Sequence, residues 1–177
     1  MQDKYAKNTG FTIVELLIVI VVIAILASIS IVAYNGIQAR ARDSQRKSDL
    51  ATIAKGLAIY NVDAGNLIEV GSGCGSNGNG QVWFNHNNGT GYPRAINECL
   101  NDAGIVKQTL KDPSGATSCS GTNTECYAYM KYHCGGSAYI YTNLESTPYS
   151  SSSTATDGTC AATLDTVYGM DYFVKVN

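Results

Sequence analysis

One segment governs what this chain can fold into. Between Leu16 and Ala33 only Ser28 and Ser30 interrupt an otherwise aliphatic run. As a helix that run is roughly 27 Å long, and roughly 34 Å counted from Phe11, enough to cross the hydrocarbon core of a bilayer. A soluble core helix of this length would keep a polar face, and this one is apolar on every side. The expectation is a membrane-inserted helix. A cleaved secretory signal is the rival, with Ser28-Ile29-Ser30 as its small-residue cleavage point. Against that rival, the apolar pattern flows without a break into a longer helical stretch. Lys4 and Lys7 favour a cytoplasmic N-terminus, whereas Arg40, Arg42, Arg46 and Lys47 beyond the run pull the other way. Charge counting therefore leaves orientation open.

A carboxylate, Glu15, stands at the start of this run. Thr12-Ile13-Val14-Glu15 fits the S/T-x-x-E capping box, in which the acid satisfies a free amide of the first turn. An acid there also suits the helix dipole. Yet a charged group within a spanning segment costs about 2.5–3.5 kcal/mol at the bilayer centre, less near its end, and such groups usually have a partner. Capping explains why Glu15 is tolerated; it does not explain why it is useful.

The rest of the chain is polar and rich in Gly, Asn, Ser, Thr and Tyr, enough for one modest core. Charge is unevenly placed. From Asn35 to Tyr60 five basic residues face two acids, and from Asn61 onward five basic residues face ten acids. The C-terminal part is thus a poor candidate for a nucleic-acid surface. The basic stretch reads as a solvated helix face, with phospholipid headgroups or an acidic neighbouring subunit as the alternatives. The two histidines, His86 and His133, lie in no recognised nucleophile or metal motif, and the Gly-rich Gly71–Gly80 stretch does not open a helix. No enzyme class and no cofactor is expected. A metal on Asp112, Glu125 or Asp157 has no calcium-loop spacing behind it.

All six cysteines, Cys74, Cys99, Cys119, Cys126, Cys134 and Cys160, follow the apolar run. That placement points to disulfides in an oxidising compartment, and to an outside location for the C-terminal part. Six cysteines allow fifteen pairings. Nearness along the chain favours Cys74–Cys99, Cys119–Cys126 and Cys134–Cys160. A zinc site from Cys119, Cys126, His133 and Cys134 is the weaker alternative, since no C-x-x-C spacing occurs.

Apolar residues recur at helical spacing from Ile37 to Tyr60, ending in a stripe of Leu50, Ile53, Ala54, Leu57 and Ala58. Arg40–Ser48 is almost wholly polar and reads as a solvated or subunit-facing section. Gly65 is the stop signal. The Gly/Asn-rich stretch 69–91 has Trp83 and Phe84 as its large apolar anchors. Pro93 suits the start of a short helix over 93–103, closed by Gly104. Cys126–Cys134 and Ser137–Glu145 alternate like strands around Gly135-Gly136, a hairpin signal. Val167–Val176 is a third strand, and Ser146–Thr159 an exposed loop.

Gly10-Phe11-Thr12-Ile13-Val14-Glu15-Leu16-Leu17 resembles the leader junction of type IV pilins and type II secretion pseudopilins: a short basic leader ending in Gly, then Phe, then an acid four residues on. Ala58–Leu67 resembles the end of the pilin spine helix, and Gly91–Gly115 the Y-P…D-P segment of the pseudopilin-like branch. The resemblance implies an α+β fold, with a long N-terminal helix packed on a small antiparallel sheet. It implies a leader over 1–10, a membrane and filament-core half over 11–35, an exposed spine half over 36–64 and a globular head over 65–177 with its sheet within 126–176. It further implies cleavage by prepilin peptidase between Gly10 and Phe11, methylation of the Phe11 amine, and pairing of Glu15 with that amine on an adjacent subunit. The implied partners are other copies of the chain and other pilins in a filament, the inner-membrane assembly platform, membrane lipid before assembly, and a host or surface ligand for the head. The implied location is the inner membrane as a precursor and the extracellular filament when mature. The chain departs from the family in having Val32 where a proline is common, in the 69–91 insertion and in its six cysteines. A secreted or single-pass disulfide-rich surface-binding protein is the alternative.

Overall fold

The computed structural model describes residues 10–65, 74, 81–86, 94–107, 109–119, 126–134, 137–146 and 170–176. Residues 1–9, most of 69–91, the Ser/Thr-rich loop and Cys160 lie outside the described residues, and with them the Cys134–Cys160 pairing. The elements are α1 (Ile13–Ala64), β1 (Gln81–Trp83), α2 (Ile96–Asp102), β2 (Met130–Cys134), β3 (Ser137–Thr142) and β4 (Tyr172–Val176).

The 52 residues of α1 form one continuous helix. With Val32 in place of a proline, every amide through this region can donate along the helix, and Asn35-Gly36 does not break it. The helix ends at Gly65, whose φ of 73° is the left-handed conformation that favours glycine. The amide of Gly65 still bonds the Asn61 carbonyl at 2.9 Å.

The chain divides into two compact units, residues 1–38 and 39–177. In the first, the described side chains from Gly10 to Ile37 are all exposed. This is the part of α1 long and apolar enough to cross a membrane. The second unit holds the core. Its centre is the α1 stripe expected from the spacing, with Leu50, Ile53 and Leu57 fully buried. Val82 of β1, Ala138 and Ile140 of β3, and Val176 of β4 join that stripe in one cluster with Ile96 and Leu100 of α2. Gly56 sits within the packed face: a Cβ there would come 3.2 Å from Val106 Cγ2 and 3.6 Å from Leu100 Cδ1. The missing side chain lets the chain after α2 lie against α1, at the roughly 1 kcal/mol that glycine costs a helix.

The sheet is an antiparallel meander in the order β1-β2-β3-β4. β2 and β3 form the hairpin expected around 135–136, in a register that pairs Tyr132 with Tyr139. Alternation sends Ala138 and Ile140 to the α1 side and Tyr139 and Tyr141 to the other. On that second face Tyr139, Tyr141 and Phe173 pack ring to ring at centroid distances of 5.8–6.2 Å.

Three elements differ from the sequence reading. β1 was not expected; a three-residue strand whose partner lies some fifty residues away has no local pattern to reveal it. α2 runs over Ile96–Asp102, shorter than 93–103, with Glu98 Oε2 accepting the Ala95 amide at 2.9 Å to cap its first turn. The third strand is described over Tyr172–Val176, with Met170 and Asp171 ahead of it outside the strand, and residues 167–169 of the expected span lie outside the described residues.

Two of the three disulfides favoured by nearness are present. Cys74–Cys99 joins the chain ahead of β1 to α2, and Cys119–Cys126 closes a short loop before β2. The second bond consumes two of the four zinc donors considered above, so that alternative is overturned. Replacing Cys74 and Cys99 together by Ser is expected to destabilise the head by about 3 kcal/mol, from the closure entropy of a loop of that length. A chemical denaturation curve under non-reducing conditions checks this.

Candidate functional site

Two clusters of polar side chains stand out, one in each unit. The first is the helix start. Thr12 precedes α1, and its amide and Oγ1 both donate to Glu15 Oε2, at 2.8 and 2.6 Å. The Glu15 amide returns a bond to Thr12 Oγ1 at 3.2 Å. The capping box read from the sequence is therefore built in full, and it fixes the first residue of α1. Both bonds to the carboxylate go to one oxygen, and Glu15 Oε1 has no hydrogen bond among the described residues. Gly10 and Phe11 lie ahead of the helix in non-helical, exposed chain, with Phe11 90% exposed. The structure thus brings three residues singled out in the sequence into one short segment: a peptide bond open to solvent, an aromatic residue after it, and a carboxylate one helical turn on.

The second cluster is buried in the head, and the sequence reading missed it. Arg46 is 0% exposed. Its Nε donates to Asp112 Oδ2 at 2.6 Å, its Nη1 to Asp43 Oδ1 at 2.8 Å, and its Nη2 lies 2.7 Å from Glu145 Oε1. The guanidinium also sits 4.3 Å from the centroid of the Tyr127 ring. Arg42 Nε grips the same Glu145 at 2.8 Å. Asp43 accepts the amides of Glu145 and Ser146, both at 2.8 Å, and the Ser146 hydroxyl. One turn further, Asp49 accepts from Gln45 at 2.6 Å and from the Tyr129 hydroxyl at 2.8 Å. The polar section of α1 is thus partly a buried seam. It continues the apolar stripe at helical spacing, 43, 46, 50, 53, 57, and that spacing is the signal that would have found it.

Electrostatics follow from the geometry. Burial opposes the charge of Asp43, but bonds from Ser146, the Glu145 and Ser146 amides and Arg46 outweigh it and hold its pKa below the usual value. Arg42 does the same for Glu145, with Arg46 adding to it against the desolvation. For Arg46, desolvation is outweighed by its bonds to Asp112, Glu145 and Asp43, so it stays charged. Burial and the bond to Asp49 push the Tyr129 phenol well up, keeping it a neutral donor.

Asp171, just before β4, has the opposite sense. Burial raises its pKa to about 6, although its Oδ1 accepts the Leu144 amide at 2.9 Å. Stability from Asp43 and Glu145 is present at neutral pH and lost as pH falls through their lowered values. Stability from protonated Asp171 is full below the ordinary aspartate pKa and is lost as pH rises through about 6. Asp171→Asn keeps the acceptor and deletes the charge. It is expected to stabilise the head by about 1 kcal/mol at slightly alkaline pH, the figure being reduced for partial exposure, and to change little near pH 4. Thermal melts at the two pH values check this.

Residues 5–31 match the family described as the prokaryotic N-terminal methylation motif. Two sequences described as Type IV major fimbrial protein FimA from Dichelobacter nodosus, one of them from strain VCS1703A, are each 38% identical to this chain over 107 residues. The alignment covers 60% of this chain and 61% of each relative, so the chain spans about three fifths of the length of these curated relatives. No solved structure matches significantly. In its methylation motif at the helix start, its long apolar helix on a small antiparallel sheet and its 38% identity to the fimbrial subunits, the chain is similar to type IV pilins.

Proposed function

We propose that this chain is a structural subunit of a type IV pilus or a related filament, made as a membrane-anchored precursor and built into an extracellular fibre. The observation that carries this reading is the coincidence of the methylation motif with an exposed Gly10-Phe11 junction and a first turn sealed by Thr12 and Glu15. A protease needs extended, accessible chain at the scissile bond, and residues 10–12 are non-helical and exposed. In this reading prepilin peptidase removes residues 1–10, and the new Phe11 amine is methylated. Residues 11–35 then hold the subunit in inner-membrane lipid, and 36–64 carry the head of 65–177. The inner-membrane assembly platform transfers subunits from lipid to the growing filament, where copies of the chain and other pilins surround the apolar half. The role is structural and not catalytic. The fimbrial relatives favour a surface pilus over a secretion pseudopilin.

N-terminal sequencing of the mature chain tests the reading. A methylated Phe11 as the first residue is expected, and a start near Ile31 would replace this reading with ordinary secretion. Gly10→Glu puts a bulky charge at the scissile bond and is expected to leave all of the protein as unprocessed precursor, seen as a slower band on a denaturing gel.

A further inference from the structure

The sheet has two edges, and they differ. β1 closes one side with three residues, Gln81–Trp83. β4 closes the other with five, Tyr172–Val176, and among the described residues it pairs only with β3. An edge strand keeps one row of its amides and carbonyls turned outward, which makes it a template for another strand. Shortness blunts such an edge, as at β1. β4 is as long as β2 and carries no proline, so neither device protects it.

The side chains of β4 select what can cover the edge. Its register with β3 puts Tyr172, Val174 and Val176 on the α1 side, opposite Thr142, Ile140 and Ala138. Phe173 and Lys175 share the other face, opposite Tyr141 and Tyr139. Lys175 is exposed, while the half-buried Phe173 ring is held against Tyr139 and Tyr141. A lysine on an edge strand usually discourages pairing, because an arriving strand desolvates its charge without compensation. A second β4, running antiparallel, meets it differently. The register that pairs all five residues turns about Val174. Tyr172 then faces Val176 of the second copy, Phe173 faces Lys175, and Val174 faces Val174. Each ammonium lies opposite an aromatic ring already fixed in place, and the twofold symmetry makes that cation–π pair twice. On the α1 side an aromatic residue meets a β-branched one, a favourable cross-strand combination. No like charges stand directly opposite. β1 of another head, three residues long, would leave two of the five unpaired.

We propose that β4 docks a second copy of this chain, edge to edge and antiparallel, merging two four-stranded sheets into one. The contact belongs to the head, draws on no residue of the apolar run and does not depend on the filament reading. Amine cross-linking tests it on the full chain in detergent micelles, with isotopically labelled and unlabelled protein mixed in equal amounts. In the proposed register the two Lys175 residues are diagonal neighbours, roughly 7–8 Å apart. Mass spectrometry is expected to find Lys175 of a labelled chain linked to Lys175 of an unlabelled one, and absence of that link from folded protein overturns the proposal. Sedimentation equilibrium reads the strength. Lys175→Glu alters an exposed side chain and is expected to raise the dimer dissociation constant about tenfold, since both cation–π pairs are lost. Adding Phe173→Lys to that variant sets opposite charges face to face and is expected to restore dimerisation. Circular dichroism confirms that each variant is folded. An unchanged dissociation constant for folded Lys175→Glu overturns the proposal, because association would then run through another surface.

Discussion

Glu15→Val is expected to abolish filaments while leaving membrane insertion and leader cleavage intact. The substitution removes a carboxylate from the edge of an apolar segment, so insertion improves if it changes at all. It also removes the acceptor for the Thr12 amide and hydroxyl, a capping loss of about 1 kcal/mol. Such a loss frays the first turn of a 52-residue helix without endangering the rest. Filament loss would come from a different source. The cap occupies one carboxylate oxygen and leaves Oε1 without a hydrogen bond among the described residues. In the proposed filament that oxygen faces the Phe11 amine of the next subunit. Opposite charges attract several times more strongly in a poorly hydrated core than in water, so the pair sets register along the axis. Electron microscopy of cells making the variant, with a gel for processing, reads out both halves. Abundant filaments of normal appearance would remove the pairing from the assembly mechanism. Glu15→Gln keeps an acceptor for the cap and loses the charge, so it separates the two roles: a capped helix that still fails to assemble is the expected result.

The second large effect lies in the head. Arg46→Met deletes a cation that Asp43, Asp112 and Glu145 all contact. It leaves carboxylates facing one another in a buried site, where breaking one partner of an ion pair costs about 3–5 kcal/mol. Against a typical domain stability of about 5–15 kcal/mol, that loss shifts the urea midpoint far down or prevents folding. The pair of changes Arg46→Met with Asp112→Leu is expected to recover a large part of the loss, because an apolar pair of similar size avoids desolvating either charge. A midpoint for Arg46→Met equal to that of the wild type would mean the cluster is well hydrated and of little structural weight.

How far the sequence revealed these features depended on how local their causes were. The start of α1 was legible because a capping box is complete within four residues, and its end because Gly65 takes a left-handed conformation. The apolar stripe from Leu50 to Leu57 was legible because spacing alone separates core from surface. The Cys74–Cys99 and Cys119–Cys126 bonds followed nearness along the chain. Arg46 was read as solvated because composition argues that charged residues stay outside. That rule holds for charges without partners, and the partners of Arg46 include Asp112 and Glu145, both far along the chain. No window centred on Arg46 contains them. β1 was hidden for the same reason: its identity as a strand rests on Tyr132, Lys131 and Met130, not on anything beside it.

The grip of α1 on Glu145 and Ser146 has a consequence for how such a head can change over generations. Leu144 is held as well, its amide donating to the Asp171 carboxylate just before β4. The segment after β3 is thus tied to α1 through Arg42, Asp43 and Arg46 and to the start of β4 through Asp171. A change at any one of these positions strips a partner from another, so their substitutions are expected to be coupled and not independent. The helix that builds the interior therefore restricts the identities of the chain it holds, and a neutral change there needs a second, matching one.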